Sequence, residues 1–455
     1  MTRVLAIDVG SSSVRARLYD ESGRVLSGDS AQRRWEASRG RDGRVEFDPG
    51  ELVAATRGAI EDALEPDDRY DAVGCSCFWH SFMALDRGGR PLTPLLTWGD
   101  TRSVDHAEHL ARRLDGDAVH ARTGAPLHPS FWPAKLAWLR ETSPEVFTRA
   151  ARFVGLGEYL LQELAGEARA SVSMASATGL LDVHTLAWDG ELLEALGLEP
   201  ERLPELGGEP VGSGPAWYPA DGDGATSNVG SGCLTRERAA LMMGTSGAFR
   251  TAYEAEDARP RPGLFLYRID ERRLVEGGSL SDGGNLVSWL ERTLKLPDEP
   301  GLEGRVPGEH GLTFLPLLGG ERATGWNGRA RGAVAGLSLA TTPEDVYQAA
   351  LEGIALRVAD IAERMPEVRE VVATGKALLS QPAWIQVLAD VLALPVTASA
   401  EPEASSLGVV NLTLERLGEE PAPTPLGRTF EPREERVEAY RSAREEQRNL
   451  YRGVT

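Results

Sequence analysis

The stretch "VLAIDVGSSSVRARLYD", residues 4–20, places one carboxylate in an apolar strand and follows it with a turn of small residues. Asp8 is the polar interruption in the first run, and the chain after the turn alternates apolar and polar residues as a strand does. A second turn, "ESGR", leads into "VLSGD". This pattern predicts a three-stranded meander with a carboxylate at the end of its first strand.

Two interpretations of Asp8 follow from this stretch alone. In the first, Gly10 permits a sharp turn, the N–H groups after it converge on phosphate oxygens, and Asp8 holds a hydrated Mg²⁺. In the second, the stretch is a hairpin whose polar turn is only structural, and Asp8 accepts hydrogen bonds from turn N–H groups.

The length and charge of the chain restrict its class. A chain of 455 residues exceeds what one core usually supports, so we expect two domains or one duplicated unit. A formal charge of −20 disfavours nucleic acid and anionic membranes as partners. A small anion such as a nucleotide can still bind, because salt screens distant charge within about 10 Å.

Cysteine usage indicates a reducing compartment. Cys75, Cys77 and Cys233 form a sparse, odd set without the pattern of a disulfide framework. No signal peptide or long apolar run is evident, so we expect a cytoplasmic protein. His80 follows two of the cysteines closely, but a closed metal site needs about four ligands and no fourth is evident, so burial in the core is the favoured role of all three thiols.

A second stretch repeats the order of the first. "ALMMGTSGAFRT", residues 240–251, and "AIDVGSSSVRA", residues 6–16, share an apolar strand, a Gly, two small hydroxyl residues and a strand carrying an Arg. Gly-Ser turns are common between strands, so chance similarity and duplication both stay open. Two facing turns of this kind would suit a triphosphate better than one.

The second half also contains predicted helices. Thr342 and Pro343 suit the N-cap and first position of a long amphipathic helix. Residues 370–396 show the order strand, glycine loop, helix, strand, which favours nucleotide binding at Gly375. Residues 431–452 are typical of a solvated helix.

Taken together, motifs along the chain resemble those of the FGGY carbohydrate kinases, within the sugar kinase, Hsp70 and actin superfamily. They are "IDVGSSSVRA" (7–16), "WHSFMALD" (79–86), "PLTPLLTWGDTRS" (91–103), "DGATSNVGSG" (223–232), "MGTSGAFR" (243–250), "GGSLSDGGNLVSWL" (277–290), "FLPLLGGERATGWNGRARG" (314–332), "ATGKALLSQPAWIQVLADVLALPV" (373–396) and "EASSLG" (403–408). The resemblance implies an α/β fold of two ribonuclease-H-like domains, residues 1–234 and 235–455, that close a central cleft on MgATP and a sugar.

The resemblance also implies roles for individual residues. Asp223 matches the general base that accepts the proton of the sugar hydroxyl, and Asp8 matches the magnesium-associated carboxylate. The cofactor-binding positions are Gly10, Ser11, Ser12, Ser13, Arg15, Gly244, Thr245, Ser246, Gly284, Asn285, Gly375 and Lys376. The sugar contacts, which include Asp223, are Trp79, His80, Trp98, Asp100 and Arg102.

Each of these positions also has a structural alternative. "DGDG", residues 221–224, is a turn sequence, so Asp223 could close an Asx-turn, and Asp221 lies close by. His80 and Trp98 could simply pack in the core, and Asp100 and Arg102 could form an ion pair at the surface.

Within the family, the segments "HSFMALD", "TGAPLHPSFWPAKLAWLR" and "SMASATGLLD" are most similar to the gluconate kinases, with the xylulose kinases next. We therefore expect transfer of the γ-phosphoryl group of ATP to a terminal hydroxyl of D-gluconate, or of xylulose or another pentulose or polyol. Lys135, Arg102 or Arg122 could supply the cation for a carboxylate. Dimers are common in the family, so a homodimer is also expected.

Three positions depart from the family pattern. Trp79 stands in place of Met, Lys376 in place of the second glycine of the adenosine loop, and Ser171 in place of an Asp. Two functions of other classes stay open for the same chain, that of a non-catalytic, actin-like ATP-binding protein and that of a hydrolytic ATPase.

Overall fold

The computed structural model describes residues 2–28, 31–212, 214–297, 300 and 302–455, which form two seven-stranded sheets and smaller pieces of sheet, with helices packed around them. The strands of the first half are β1 (Arg3–Val9), β2 (Ser13–Asp20), β3 (Val25–Ser27), β4 (Gln32–Arg34), β5 (Ser38–Arg39), β6 (Val45–Phe47), β7 (Ala72–Cys77), β8 (Met83–Leu85), β9 (Leu95–Leu96), β10 (Arg152–Val154), β11 (Arg169–Ala170), β12 (Leu181–Asp182), β13 (Ala187–Trp188), β14 (Glu205–Leu206), β15 (Ala216–Trp217) and β16 (Asp221–Gly222). Its helices are α1 (Pro49–Ala63), α2 (Val104–Arg113), α3 (Gly116–Thr123), α4 (Trp132–Thr142), α5 (Pro144–Arg149), α6 (Leu156–Ala165), α7 (Val172–Ser176), α8 (Gly190–Leu196) and α9 (Asp223–Gly230), with a 3₁₀ turn at Pro200–Arg202.

The second half has its own strands and helices. The strands are β17 (Arg238–Met243), β18 (Gly247–Glu254), β19 (Phe265–Arg268), β20 (Arg273–Leu280), β21 (Thr313–Leu315), β22 (Ala333–Ala335), β23 (Glu370–Thr374), β24 (Val396–Ser399) and β25 (Leu426–Phe430). The helices are α10 (Gly284–Thr293), α11 (Pro343–Ala362), α12 (Lys376–Leu379), α13 (Pro382–Leu392), α14 (Ala404–Arg416) and α15 (Glu434–Val454).

The two sheets repeat one pairing pattern. In the first sheet β1 pairs antiparallel with β2 and parallel with β7. In the second, β17 pairs antiparallel with β18 and parallel with β23. The two small-residue turns therefore occupy the same position in their sheets, which favours duplication over chance. The predicted meander is confirmed as β1, β2 and β3.

The predicted helices of the second half are confirmed. Helix α11 begins after Thr342, whose side chain accepts the N–H of Asp345 while the Asp345 carboxylate accepts the N–H of Thr342. The order β23, α12, α13, β24 agrees with the predicted strand, loop, helix and strand. The final segment forms α15, which is largely exposed but buries Tyr440 and Gln447 against α11.

Helix α14 connects the two halves. It belongs to the predicted second domain, yet Val409, Val410 and Leu414 pack on Val4 and Ala6 of β1. It also crosses α9 so closely that a Cβ added at Gly408 would lie 1.8 Å from the carbonyl oxygen of Thr226. This packing fixes α9 against both halves, and the domain boundary after residue 234 stays a prediction.

The cysteines are free thiols; Cys77 and Cys233 are fully buried, as their predicted packing role requires, whereas Cys75 is partly exposed, so the prediction of full burial is wrong for that thiol. In the part of the chain that the structure describes, no helix combines the length and apolarity needed to cross a membrane.

Candidate active site

Asp8 lies at the end of β1, where three strands meet. It faces Arg15 across the antiparallel pair and Ser76 across the parallel one. Its carboxylate is 3.6 Å from Nη1 of Arg15. Burial raises the pKa of Asp8 to about 6, and the positive charge of Arg15 offsets part of that shift. The fold therefore keeps a carboxylate in a place that disfavours its charge.

The first small-residue turn lies directly after this carboxylate. The N–H of Gly10 donates to the carbonyl of Ser13 at 2.9 Å, which closes a tight turn between β1 and β2. Ser13 is buried, whereas Ser11 is partly exposed and Ser12 is exposed. The predicted phosphate-binding residues are thus contiguous and adjacent to Asp8, and of the three serines Ser11 and Ser12 are accessible.

The second small-residue turn joins β17 to β18 and touches the start of α10. Gly244 accepts the N–H of Gly284 at 2.8 Å, and Thr245 accepts the N–H of Asn285 at 2.9 Å. A Cβ at Gly284 would lie 2.5 Å from the carbonyl oxygen of Gly244, so only glycine permits this approach. Ser246 closes the turn by accepting the N–H of Gly244 at 3.0 Å. The predicted residues of the second loop are therefore brought together.

Gly375 joins this group from β23. Its φ is +89°, and an added Cβ would lie 2.4 Å from the carbonyl oxygen of Met243 at the end of β17. Lys376 follows as the first residue of α12 and is exposed. The predicted adenosine loop thus borders the second small-residue turn, and the ammonium of Lys376 is accessible to an anionic ligand.

Asp223 is the first residue of α9 and follows Gly222, which pairs with Cys77 of β7. As a residue it is partly exposed, and the backbone N–H groups of Gly224 and Trp79 face its carboxylate. Burial raises the pKa of Asp223, and Arg250 opposes the rise. Asp223 and Asp8 are close enough that the charge of Asp223 raises the pKa of Asp8.

Its neighbour Asp221 is engaged elsewhere. The Asp221 carboxylate binds Nη2 of Arg416 at 2.7 Å. No ion pair of Asp223 occurs within the described residues, so its carboxylate is the one in this turn that stays available for proton transfer.

Trp79 supports the turn that carries Asp223. Its ring packs on the glycines on either side of Asp223. A Cβ added at Gly222 would lie 1.6 Å from Trp79 Nε1, and one added at Gly224 would lie 2.1 Å from Trp79 Cζ3. The indole N–H donates to the carbonyl of Ser173 at 3.1 Å. The larger side chain at this position therefore fills space that the two glycines leave open.

Ser171 stands at the N-cap of α7. Its hydroxyl donates to the carbonyl of Ala220 at 2.6 Å and accepts the N–H of Met174 at 3.1 Å. It therefore ties the start of α7 to the strand that precedes Asp223.

His80 is held in the left-handed region, with a φ of +67°. Its Nδ1–H donates to the carbonyl of Ala177 at 2.7 Å, and Lys135 Nζ donates to the carbonyl of His80 at 2.8 Å and to that of Ser130 at 2.7 Å. Burial holds the pKa of His80 well below its usual value and lowers the pKa of Lys135 to about 7. The imidazole is therefore neutral, and its Nε2 can accept a hydrogen bond.

The predicted pair Asp100 and Arg102 is engaged within the wall of the site. Nη2 of Arg102 lies 2.6 Å from Asp100 Oδ2 and 2.7 Å from Glu46 Oε2. Of the other predicted cations, Arg122 binds Asp189 at 2.5 Å, and Lys135 is fully buried. All three cations proposed from the sequence for a substrate carboxylate thus have partners within the protein.

Arg322 is a residue of the site that sequence reasoning missed. It is 6% exposed, and its guanidinium lies 5.1 Å from the ring centre of Trp98. Its pKa is lowered to about 10 by burial, an effect that Tyr267 and Asp223 oppose. It lies inside the motif of residues 314–332, but no sequence spacing relates that motif to Trp98.

Comparisons with known proteins show which family the chain is similar to. Residues 3–210 match the N-terminal domain and residues 239–414 the C-terminal domain of the FGGY family of carbohydrate kinases. A gluconokinase of Bacillus subtilis is 30% identical, over 91% of this chain and 88% of that protein. A glycerol kinase of Ralstonia nicotianae is 30% identical, over 90% of this chain and 89% of that protein.

Solved structures share the whole fold. The gluconate kinase of Lactobacillus acidophilus superposes with a TM-score of 0.87 at 25% identity, covering 100% of this chain and 98% of that one. A ligand-bound xylulose kinase of the same species, 24% identical, also gives 0.87 and the same coverage, and supports the fold alone. The predicted α/β fold of two domains is confirmed, and the chain belongs to the FGGY family of carbohydrate kinases.

Proposed function

We propose that this carbohydrate kinase transfers the γ-phosphoryl group of ATP to a terminal hydroxyl of D-gluconate. The observation on which the proposal rests is the position of Asp223, a carboxylate without an ion-pair partner among the described residues, at the start of α9 and within the electrostatic range of Asp8. A phosphotransferase needs such a carboxylate beside its phosphate site. A non-catalytic nucleotide-binding protein does not.

Asp223 acts as the general base. Burial raises its pKa, which makes it a better proton acceptor than an ordinary aspartate, while Arg250 and the N–H groups of Gly224 and Trp79 oppose that rise. It takes the proton of the hydroxyl as that oxygen attacks the γ-phosphorus. Water must be kept out at this stage, because the same base would activate water as readily as the sugar.

ATP is held by the two small-residue turns and the loop at Gly375. Their backbone N–H groups and the side chains of Ser12 and Thr245 are suited to phosphate oxygens. Asp8 supplies a hard oxygen ligand for Mg²⁺, which typically binds through one or two carboxylates together with substrate phosphates and water. No cluster of three or more metal-ligating side chains occurs in the described ranges, which fits that mode of binding. When bound, the ion neutralises charge on the phosphate oxygens.

We favour gluconate as the substrate because the gluconokinases are similar over 91% of the chain and the motifs around His80 are most similar to theirs. The neutral His80 ring and the aromatic face of Trp98 suit the hydroxyl groups and the carbon chain of a linear sugar acid. Xylulose is the second candidate, since xylulose kinases share the fold closely.

The test is ADP release with Mg²⁺ and ATP in the presence of gluconate, xylulose, glycerol or no sugar. Gluconate is expected to drive release, and Asp223→Ala to lower kcat by about 10²- to 10⁴-fold. Asp86→Ala is the matched control. It removes a carboxylate that accepts the N–H groups of Gly88 and Arg90 in a surface turn, and it should retain activity. ADP release driven by xylulose or glycerol alone would overturn gluconate as the substrate, while sugar-independent release would indicate a hydrolytic ATPase.

A further inference from the structure

Arg322 carries a buried charge without a counter-ion. It has no ion pair within the described residues, and Nε has no hydrogen-bond acceptor. The ring of its aromatic neighbour Trp98 lies 5.1 Å away and stabilises the positive charge less than a carboxylate would. Buried guanidinium groups are normally paired, because desolvation of an unpaired charge is costly. An arrangement of this kind is stable once a ligand supplies the missing anion.

Several basic residues surround Arg322. Its charge lowers the pKa of His80, His128 and Lys135, so all three lie within its field. Arg250 is a further cation near it, and Asp223 is the acidic residue close enough to raise its pKa, together with the hydroxyl of Tyr267. Two guanidinium groups, those of Arg322 and Arg250, therefore lie near one carboxylate, that of Asp223, although the whole chain carries a formal charge of −20.

A second polar group in this place also lacks a partner. The hydroxyl of Tyr267 is buried and has neither donor nor acceptor among the described residues. Its ring stacks on Phe265 at 4.3 Å and meets Trp79 at 5.2 Å, so the phenol cannot turn away without breaking these contacts. Two unsatisfied donors, Arg322 and Tyr267, are therefore fixed near Asp223.

We propose that Arg322, assisted by Tyr267, binds the carboxylate of a sugar-acid substrate and that this contact selects aldonates over neutral sugars of the same length. The inference rests on the proposed function and assigns the residue that decides its substrate class. Arg322 suits this role because its fork donates two parallel hydrogen bonds to one carboxylate. Binding by that end leaves the terminal hydroxyl of the chain for Asp223.

The experiment compares gluconate with glucitol, the same carbon chain with a CH₂OH group in place of the carboxylate. Arg322→Met removes the charge and keeps much of the volume, and Arg322→Lys keeps the charge without the fork. The matched control is Arg202→Met, since Arg202 is a half-buried arginine that stacks on Phe147 and Phe153 outside the cleft. Steady-state rates are measured together with direct calorimetric binding of gluconate, and circular dichroism verifies the fold of each variant.

Arg322→Met should raise KM and Kd for gluconate by roughly 10- to 100-fold, the range of a lost hydrogen bond to a charged group, and leave KM for glucitol within about threefold. Arg322→Lys should recover part of the gluconate affinity, and Arg202→Met should match the parent. If Arg322→Met does not fold, the lysine variant alone must still weaken gluconate more than glucitol.

The two proposals fail in different ways. If the parent phosphorylates gluconate and Arg322→Met keeps its preference for gluconate over glucitol, the role of Arg322 is overturned and the gluconate kinase stands. If the parent prefers another aldonate, such as galactonate, and loses it in Arg322→Met, gluconate is overturned and the carboxylate site stands. If the parent phosphorylates neutral sugars only, both are overturned.

Discussion

Asp8 shows at the scale of one residue how the site departs from what stability alone would select. Its carboxylate is 7% exposed, and burial is the largest influence on its pKa. Arg15 is shared, since it also contacts Glu403 Oε1 at 3.3 Å, and so it compensates Asp8 only in part. A buried acid of this kind is tolerated where a bound cation stabilises its charge.

This environment predicts a stability change of a specific sign. Folding raises the pKa of Asp8 from 3.8 to about 6, so stability falls as pH rises through about 6 and is unaffected below 3.8, where folded and unfolded chains are both protonated. In the absence of Mg²⁺, Asp8→Asn should therefore increase the free energy of unfolding at neutral pH by up to about 3 kcal/mol. Urea unfolding at neutral and acidic pH measures this.

The control for this prediction is a carboxylate with the opposite shift. Hydrogen bonds from Ser22 and Arg24 lower the pKa of Asp20, so Asp20→Asn should lose stability at neutral pH. A loss of stability in Asp8→Asn as well would contradict the interpretation of Asp8. The parent should also bind MgATP less tightly as pH falls through about 6, because protonated Asp8 is a poor ligand for the cation.

At the scale of elements, the position of Asp223 depends on close packing between a strand, a helix and one ring. Strand β16 passes into α9 at Gly222, and Trp79 covers both sides of the turn. Helix α14 holds α9 from behind, since a Cβ at Gly230 would lie 1.8 Å from the carbonyl oxygen of Ala404. The carboxylate is thus placed by contacts that leave no room for a methyl group.

Gly224→Ala should displace Trp79 or Arg250, because its Cβ would lie 2.1 Å from one side chain and 2.2 Å from the other. We expect kcat to fall by about 10²-fold, the usual consequence of a catalytic group moved by about 1 Å. Stability should fall by about 1–3 kcal/mol, as in other overpacked cores. Steady-state kinetics and thermal unfolding measure the two effects.

Gly190→Ala is the matched control for this change. Gly190 is the first residue of α8, and no atom lies within 4 Å of its added Cβ. It should retain both activity and stability. Parent-like kinetics in Gly224→Ala would show that the turn tolerates displacement, contrary to the packing argument.

At the scale of the whole molecule, the two halves meet through apolar packing, such as that of α14 on β1 and of Trp79 on Tyr267, and also through polar contacts. Arg329 binds Glu108 at 2.5 Å across the halves, and Nε2 of His128 donates to the carbonyl of Glu321 at 3.1 Å. Exposed ion pairs of this type contribute little to stability. Polar contacts of this kind can rearrange at little cost, and closure of the halves on their ligands is what the resemblance to the family implies.

Closure predicts a smaller particle when both ligands are bound. With MgATP and gluconate, small-angle scattering should show a lower radius of gyration than with either ligand alone, because sequestration of the γ-phosphate requires both. Asp223→Asn, which keeps the shape of the side chain, allows both ligands to stay bound without turnover. An unchanged radius in that ternary mixture would argue against a moving cleft.

Local features were accessible from the sequence wherever chemistry and position coincide. Gly10 and Gly244 follow apolar strands and precede hydroxyl residues, and the capping residues Thr342 and Asp345 indicate the start of α11. The same reasoning could not find Arg322, because no regular spacing connects it with Trp98, over two hundred residues earlier. The sequence left open whether Asp100 and Arg102 contact the sugar or pair with each other; the structure shows the pair, with Asp100 buried rather than at the surface.

The sequence by itself determined the strand, turn and strand units, the caps of the helices and the family, because each depends on neighbours in the chain or on motifs preserved in order. Only the tertiary structure decided which carboxylate of the turn is available, since Arg416 approaches Asp221 from α14, and that buried Arg322 has no ion pair within the described residues. The physical reason is that burial and counter-ions are supplied by residues distant in sequence. The charge state of a side chain is therefore a property of the folded molecule.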